Sequence, residues 1–344
     1  MRVAGAPPRS DMPAHVLAQL LDAPALEDGA AARFHQVIAA HGQTLAAIAR
    51  GGARVPLHWF HEVYPALDAE QAARLGYLAG EQARLTSFAS LSLPLVSAGS
   101  VAEVLQLLTF IPLISNSLTA RFVTRGEDVV VMLTANSGDP VLDRFPVFYS
   151  AAAMLRLLRI LVDSDAPELS IHIAWPQPEA FRDHPEVQAG RLQFDALVHH
   201  IVVPRATLEA VCRFSDPLAY QAALRSLQAQ LADLHSTDDI VARIKLLLDS
   251  PAQLVTIDDA AARLHVSVST LKRRLAEVGT NFRALRDEVL KERALIMMTD
   301  ASMTLESTAS ALGYSDLANF SHAFKRWTGV SPGAFRRQAH DAAS

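Results

Sequence analysis

The sequence predicts an α+β domain followed by an all-α domain, and three observations support this fold class. The chain has 344 residues, which is enough for two domains of about 150 residues each. Before residue 220, strand-like runs alternate with apolar helical runs. After residue 240 the periodicity is helical, and a stretch that starts at Thr256 recurs, shifted by 48 residues, at Thr304. The duplication predicts two copies of one helical unit.

Composition restricts the classes of protein that this sequence can encode. Half of the residues are hydrophobic and 19% are charged, which predicts well-packed cores. The sequence has no apolar run of about 18 residues and no basic-then-apolar start, so we expect a cytoplasmic protein without a membrane span. Cys212 is the single cysteine, which excludes an intramolecular disulfide and a cysteine-based zinc site.

The net charge of −5 is unevenly distributed along the chain. Residues 1–235 hold 17 Lys and Arg against 23 Asp and Glu, whereas residues 236–344 hold 14 against 13. All four lysines lie in the last hundred residues. An acidic body joined to a comparatively basic C-terminal module is typical of a regulator rather than of a protein that coats nucleic acid.

The N-terminal part divides into a tail and a domain. Residues 1–14 are proline-rich with little to bury, and we expect them to be a disordered tail. Residues 15–220 are predicted to form the α+β domain. Alanine- and leucine-rich helices come first, and Asp68 begins one of them as an N-cap.

The middle of this domain carries the strand signals. Ser100 and Glu103 match a capping box ahead of an apolar helix over 104–111. The next predicted elements are, in order, a hairpin of strands 118–124 and 129–133, a long core helix over 147–161, a strand over 169–175 and a strand within 192–203.

Two histidine pairs are the main candidates for chemistry in this domain. His58 and His61 have metal-ligand spacing, but no acidic or histidine partner follows at a family spacing. His199 and His200 lie in an apparent strand, where neighbouring side chains point to opposite faces. Nucleophile-elbow, P-loop and dinucleotide-binding motifs are all absent from the sequence. We therefore predict no enzyme activity, metal or cofactor.

A helix over 221–240 is predicted to link the two domains. It carries leucines at heptad-like spacing, namely Leu224, Leu227, Leu231 and Leu234. Such a seam can support a homodimer contact. Only about two heptads are present, so packing of these leucines on their own domain is an equal alternative.

The internal repeat defines the C-terminal domain. Each copy begins with a threonine cap and an acidic first turn, and then a tight turn leads to a second helix. The apolar stripes of the second helices are Val268, Leu271, Leu275 and Val278 in the first copy, and Leu317, Phe320, Phe324 and Trp327 in the second. Small residues in the first helices permit the close crossing of a helix-turn-helix. We expect two helix-turn-helix units joined by a long helix over 281–298.

The second copy ends in a helix with a basic outer face. Ser315 or Asp316 can cap its start, Gly329 suits a left-handed C-terminal position, and Pro332 prevents its continuation. Two such helices can lie in successive major grooves, about 34 Å apart. The alternative is a purely structural helical bundle.

Residues 241–339 resemble the DNA-binding domain of the AraC/XylS family of bacterial transcription regulators. The residues that carry the resemblance are Gly313, Tyr314, Phe320, Ser321, 323–326, Gly329, Ser331, Pro332, Phe335 and Arg336. Residues 15–220 are similar to the non-cupin, arabinose-binding-type regulatory domain of one branch, mainly through 75–78 and 100–105. Residues 340–344 are a predicted tail.

The resemblance implies which side chains contact DNA. It assigns base contacts to Ser269, Lys272 and Arg273 in the first copy and to Ala318, Asn319 and His322 in the second. Lysine and arginine can donate to guanine O6 and N7, and asparagine can pair with adenine. Phosphate contacts are expected from Ser267, Thr270, Ser315, Lys325 and Arg326.

Three residues depart from the family pattern. Leu290 replaces a common arginine in the linking helix, and Thr308 replaces a branched apolar residue. His322 replaces a frequent arginine, which adds a side chain that titrates near neutral pH.

The sequence thus predicts a regulator, either activator or repressor, that binds double-stranded promoter DNA and contacts RNA polymerase. A small-molecule effector or a partner would bind the N-terminal domain and shift the DNA-binding state. The alternative is an N-terminal domain that serves only to dimerise. The sequence does not indicate which residues bind the effector.

Overall fold

The computed structural model describes residues 10–50, 53–162, 168–236, 240–248, 255–299 and 303–343. The chain divides into two compact units. Unit 1 comprises residues 1–195 and 199–231, and unit 2 comprises residues 232–344 together with 196–198. Residues 237–239 of the predicted linker lie outside the described residues. Among the described residues, none of the helices combines the length and hydropathy that a membrane span requires.

Unit 1 combines helices with a two-stranded and a five-stranded β-sheet. The helices before residue 237 are α1 (Ala14–Leu21), α2 (Ala30–Ala40), α3 (Leu45–Arg50), α4 (Trp59–Val63), α5 (Ala69–Gly80), α6 (Ser92–Ser97), α7 (Val101–Gln106), α8 (Arg144–Leu161), α9 (Pro185–Gln188), α10 (Arg205–Leu208) and α11 (Pro217–Ser236). Single 3₁₀ turns or runs cover Ala89–Leu91, Leu107–Leu113 and Glu179–Phe181. The strands are β1 (Asp11–Pro13), β2 (Arg54–Pro56), β3 (Leu118–Arg125), β4 (Asp128–Ala135), β5 (Ser170–His172), β6 (Leu192–Gln193) and β7 (His200–Val203).

The main sheet has the strand order β3-β4-β7-β5-β6, antiparallel except for the β5–β6 pair. The predicted hairpin is confirmed as β3 and β4, with Arg125 opposite Asp128. Gly126 fills the first turn position at a φ of 60°, a conformation that glycine adopts without a steric penalty. The strand expected over 169–175 is shorter, since only β5 pairs within it.

The prediction of a disordered tail over residues 1–14 is wrong from residue 10 onward, and residues 1–9 lie outside the described residues. β1 pairs with β2, and the ladder is extended by a bond from the Leu57 amide to the Ser10 carbonyl at 2.9 Å. Met12 is 2% exposed and anchors β1 in the core. Pro13 ends this two-stranded ladder, where a missing amide donor is tolerated. A ladder partner more than 40 residues away outweighs the local composition.

Helix α8 is central to unit 1, as predicted. It packs closely along α5, because α5 presents glycines at the crossing. A Cβ atom added to Gly76 would lie 2.3 Å from the Phe145 carbonyl oxygen, and one added to Gly80 would lie 2.5 Å from that of Tyr149. The helix backbones therefore touch at a distance that any larger residue would prevent.

The predicted capping box at Ser100 forms in a modified way. The Ser100 hydroxyl accepts from the Glu103 amide at 3.4 Å, but the Glu103 carboxylate accepts from the Gly99 amide, at 2.7 Å. The helix expected over 104–111 is instead α7 followed by the 3₁₀ run Leu107–Leu113. Pro112 lies inside that run and lacks the amide that an α-helix needs.

Helix α11 packs mainly on its own unit. Leu224 and Leu227 are 7% and 1% exposed in the unit 1 core. The Tyr220 hydroxyl donates to the Glu103 carbonyl at 3.0 Å, which fixes the start of the helix. Of the two alternatives for the heptad leucines, packing on their own domain therefore applies to Leu224 and Leu227.

All regular secondary structure in the described part of unit 2 is helical. Its helices are α12 (Ile240–Leu248), α13 (Ile257–Arg263), α14 (Val268–Glu277), α15 (Phe282–Thr299), α16 (Leu305–Ala311), α17 (Leu317–Thr328) and α18 (Pro332–Ala343). They surround two apolar clusters, and α15 contributes Val289 to the first and Ala294 to the second. The tail expected over residues 340–344 continues as helix α18 to Ala343.

Candidate DNA-binding surface

Helix α14 is held in place by its cap and its leucines. The Ser267 hydroxyl accepts from the Thr270 amide at 3.1 Å, which satisfies an amide that the helix leaves unpaired. Leu271 and Leu275 are fully buried. Val278 was expected on the same stripe, but it is 57% exposed. The prediction is wrong because the helix ends at Glu277, and Val278 has left the helical register.

The outer face of α14 carries three consecutive basic residues. Lys272, Arg273 and Arg274 are all exposed. The Arg273 guanidinium bonds the Glu277 carboxylate, one turn later, at 2.6 Å. Both side chains of that pair are more than half exposed, so the pair is weak and can exchange for a contact with DNA. Ser269, the remaining predicted base contact, is also exposed.

Helix α17 is fixed by a larger, aromatic core. Phe320 and Phe324 are fully buried, and their ring centroids lie 5.6 Å apart. Gly329 ends the helix at a φ of 82°, as the sequence predicts for a left-handed C-terminal residue. Of the two caps that the sequence permits, Asp316 is the one used. Its carboxylate accepts from the Asn319 amide at 2.7 Å.

The cap also engages the side chain of Asn319. The Asn319 side-chain amide donates to the second carboxylate oxygen of Asp316 at 2.6 Å. Hydrogen bonds hold the pKa of the Asp316 carboxyl below its usual value, and the bond from the Asn319 backbone amide has the largest effect. The side-chain bond uses one of the two hydrogens of the Asn319 side-chain nitrogen and fixes the orientation of the amide, while the oxygen and the second hydrogen remain for a pair with adenine. Ser315, a predicted phosphate contact, likewise donates to Asp316, at 3.2 Å.

The two basic residues at the end of α17 differ in their partners. Arg326 donates to both carboxylate oxygens of Asp287, on α15, at 3.1 Å. Lys325 is exposed and forms no ion pair within the described part of the chain. The next residue of α15, Glu288, accepts from Lys245 of α12 at 2.6 Å. Neighbouring residues on α15 thus connect it to α17 and to α12.

A recess between α15 and α17 brings together basic residues that the sequence reasoning missed. Its volume is about 590 Å³, and it is lined by Arg283 and Arg286 together with Asn319, His322 and Arg326. Arg283 and Arg286 are three positions apart at the start of α15, which places them on one face. This spacing was readable in the sequence, but nothing local indicated that the face meets α17.

All of the predicted DNA contacts lie at the surface of unit 2. Ten are exposed and one, Thr270, is half-buried; the exposed ones are Ser267, Ser269, Lys272, Arg273, Ser315, Ala318, Asn319, His322, Lys325 and Arg326. The first-copy set shares helix α14 and its cap, and the second shares α17 and its cap. The structure therefore brings each set together on one helix face.

The departures at Thr308 and Leu290 are explained by packing. Thr308 is completely buried, and its hydroxyl donates to the Thr304 carbonyl at 2.9 Å, so the polar group is satisfied within its own helix. Leu290 is 5% exposed in the second apolar cluster. Neither residue is available to contact DNA.

The histidines of the two predicted pairs in unit 1 have structural partners. His61 bonds Asp139 at 2.8 Å. His199 accepts from the Ala174 amide at 3.0 Å, whereas His200 stacks on His172 with centroids 4.4 Å apart. Burial lowers the pKa of His199 to about 4. Within the described residues, no three His, Cys, Asp or Glu side chains form a group that could hold a metal ion.

Comparison with known families identifies both regions. A family model described as a helix-turn-helix domain matches residues 260–338. A second, described as the N-terminal arabinose-binding domain of the AraC transcription regulator, matches residues 32–211, more than half of the chain. The chain belongs to the AraC family of transcription regulators. Its curated relatives are transcription regulators.

Two regulators of Pseudomonas aeruginosa are similar to this AraC-family chain. The ornithine utilization regulator is 30% identical over 194 residues, which cover 55% of this chain and 57% of that protein. The regulator VqsM is 34% identical over 140 residues, which cover 40% and 43%. The chain thus spans about half the length of the curated relatives it matches.

The solved structure of the transcriptional regulator CdpR from P. aeruginosa matches 90% of this chain and 98% of its own, with 23% identity and a TM-score of 0.40.

Proposed function

We propose that the chain binds double-stranded promoter DNA through two helix-turn-helix units, α13–α14 and α16–α17, joined by α15. The carrying observation is the duplication: each unit pairs a threonine-capped helix with a second helix whose outer face is exposed. Helices α14 and α17 would lie in successive major grooves, about 34 Å apart. The proposed domains are 15–220 and 241–339, with 221–240 as the link.

The predicted contacts separate into two chemical roles. Lys272 and Arg273 supply donors for guanine, and Asn319 supplies an amide for adenine. Ser269, Ala318 and His322 complete the proposed base-contact set. Lys325 is our main phosphate contact in the second unit, because Arg326 already has a carboxylate partner. Ser267 and Thr270 would contact phosphate at the start of α14.

The recess between α15 and α17 adds phosphate contacts to this proposal. Arg283 and Arg286 lie beside His322 and Asn319 in the same recess, and the Arg283 side chain is 79% exposed. A phosphate beside the groove-bound α17 would meet both guanidinium groups, which bind phosphate in a fork geometry. They position the helix and carry no sequence preference of their own.

Binding to the DNA upstream of the protein's own gene tests the proposal. We expect a gel shift with that DNA at a concentration at which unrelated DNA of equal length remains free. Arg243→Ala changes a basic residue of α12 outside both proposed faces, and this control variant should shift the DNA as the parent does. Equal affinity for both DNAs would reduce the chain to a nonspecific binder, and no shift would refute DNA binding.

We also propose that unit 1 binds a small-molecule effector that alters DNA binding. Support comes from a cavity of about 140 Å³ between α1, α8 and the main sheet. An effector acts only if it binds one of two conformations more tightly. RNA polymerase contact, the remaining expected partner, would depend on the surface that this change exposes.

Dimerisation without an effector remains the second candidate function of unit 1. Three apolar residues before and at the start of α11 are exposed: Val211 by 72%, Phe214 by 51% and Leu218 by 85%. They favour a homodimer contact here rather than at the buried leucines Leu224 and Leu227. Sedimentation of the chain and of Leu218→Ser distinguishes the candidates, because only a dimer contact would make the variant dissociate.

A further inference from the structure

The cavity in unit 1 restricts the chemistry of its ligand. It is bounded by the 3₁₀ run and by Leu118, Leu133 and Ile201 of the sheet, with Ala153 and Leu157 of α8 on another side. Every one of these side chains is apolar. Its volume is about 140 Å³, and an apolar cavity of about 150 Å³ takes up one benzene molecule. The space therefore fits about six to eight carbon atoms.

Most polar groups around the cavity are already occupied. The Ser115 hydroxyl donates to the Asp11 carbonyl at 2.8 Å and also contacts the Ser117 hydroxyl at 2.8 Å. The Tyr149 hydroxyl donates to Gln19 at 3.0 Å. A sugar brings several hydroxyl groups, and each one buried without a partner costs about 1–3 kcal/mol. The walls cannot satisfy a sugar.

Two polar groups of the lining differ from these: the Ser150 hydroxyl also faces the cavity, and the His15 ring has a buried nitrogen without a hydrogen-bond partner among the described residues. His15 lines the cavity, and the nitrogen without a partner among those residues is its Nε2 atom. Its ring packs edge-on against Phe88, with centroids 5.2 Å apart. Burial lowers the pKa of His15 to about 4, so the ring is neutral at pH 7 and offers one acceptor or one donor.

Charge excludes a second class of ligand. No lysine or arginine lines the cavity within the described residues, and His15 carries no charge at neutral pH. A carboxylate or an ammonium group buried there would have no counter-charge. Ornithine, suggested by the name of one relative, carries both of these groups.

We propose that this cavity binds a small neutral molecule with an apolar, ring-sized body and one hydroxyl or carbonyl group that bonds His15 Nε2. This inference rests on the proposed effector function and specifies its ligand class. The description of the matching family as arabinose-binding does not extend to the ligand of this chain.

Calorimetric titration of the full-length chain tests the ligand class with four probes: benzyl alcohol, toluene, L-arabinose and L-ornithine. We expect benzyl alcohol to bind most tightly and toluene more weakly, while arabinose and ornithine do not bind. His15→Leu keeps the apolar wall and removes the hydrogen bond. The variant should bind benzyl alcohol about three- to tenfold more weakly than the parent and bind toluene with nearly the same affinity.

Filling the cavity gives the second arm of the test. Ala153→Leu should abolish binding of benzyl alcohol and toluene, because its added atoms occupy the ligand's space. If circular dichroism shows that this variant does not fold, the smaller Ala153→Val replaces it in the same test. Leu93→Ala, which removes a 60% exposed leucine of α6 outside the cavity, is the matched control and should bind as the parent does.

The outcomes separate the ligand class from the effector function. Binding of arabinose or ornithine, without benzyl alcohol, would overturn the class and leave the effector function standing. Equal loss of toluene and benzyl alcohol in His15→Leu would remove His15 from the site. If no probe binds, the inferred class is wrong. Gel shifts with added cell metabolites then test the effector function separately.

Discussion

The two proposed DNA-binding helices differ in how they are held and in what they expose. Helix α14 has a neutral serine cap, a leucine stripe and three consecutive basic residues on its outer face. Helix α17 has a carboxylate cap, an aromatic stripe and an arginine paired to α15. A carboxylate at a helix start occupies the place where a phosphate would bind. Helix α14 is thus better suited to contact DNA, and α17 is more firmly anchored.

The largest expected effect tests whether α17 is anchored more firmly than α14. Phe324→Ala removes a fully buried ring of the second cluster and should lower the free energy of unfolding by about 3–5 kcal/mol. Leu275→Ala, its counterpart on α14, should cost about 2–5 kcal/mol. Urea unfolding followed by circular dichroism measures both. A smaller loss for Phe324→Ala than for Leu275→Ala would contradict the stronger anchoring of α17.

Base contacts give the next largest effect. Arg273→Ala should weaken operator binding by about 1–3 kcal/mol and relax the preference at one base pair. Asn319→Ala should cost less, because part of its bonding capacity is spent on Asp316. Gel shifts against operators with single base changes measure both effects. If both variants bound as the parent does, the assignment of base contacts would be wrong.

A cap replacement sharpens the same point. Asp316→Ser keeps a good N-cap residue, removes the negative charge at the start of α17 and releases Asn319. We expect tighter DNA binding, with a stronger preference at the base pair that Asn319 contacts. Titration of the parent and variant with the same operator measures it. Weaker binding by a folded variant would show that Asp316 itself supports the complex.

The sequence predicts those parts of the fold that depend on local interactions, and it does not predict those that depend on long-range ones. The caps at Asp68, Thr256 and Thr304, and the stop at Gly329, depend on residues within a turn or two, and the sequence predicts them correctly. The β1 strand was missed because its partner lies more than 40 residues away.

The same reasoning applies to the candidate sites. The exposed residues of α14 and α17 follow from helical periodicity, so the sequence predicts which face they share. The Arg326–Asp287 pair joins residues 39 positions apart, and only the packing of α17 on α15 creates it. The cavity at His15 likewise depends on segments from all over unit 1. No local pattern encodes either one.

Phosphate contacts should give a smaller effect, visible in the salt dependence. Lys325→Ala should weaken binding to all DNA sequences about equally, and it should reduce the slope of log affinity against log salt concentration by up to about one. Arg326→Ala should change the slope less, because Asp287 already neutralises that side chain. Asp287→Asn should free Arg326 and steepen the slope. Selective loss at one base pair in Lys325→Ala would contradict the phosphate assignment.

The smallest effect concerns two exposed carboxylates at helix starts at low pH: Asp259 in the capping box of α13 and Asp316 at the cap of α17. A hydroxyl bond from Thr256 is the main cause that lowers the pKa of Asp259, and the Asn319 amide is the main cause for Asp316. A lowered folded-state pKa contributes stability that is present above the usual value, 3.8 for these groups, and is lost as pH falls through the folded value. Thermal melts between pH 5 and about pH 2 should therefore show a declining melting temperature. The double variant Asp259→Asn, Asp316→Asn should decline less steeply. An unchanged pH dependence would mean that these exposed caps add nothing measurable, and that the two units differ in packing and in DNA contacts but not in their caps.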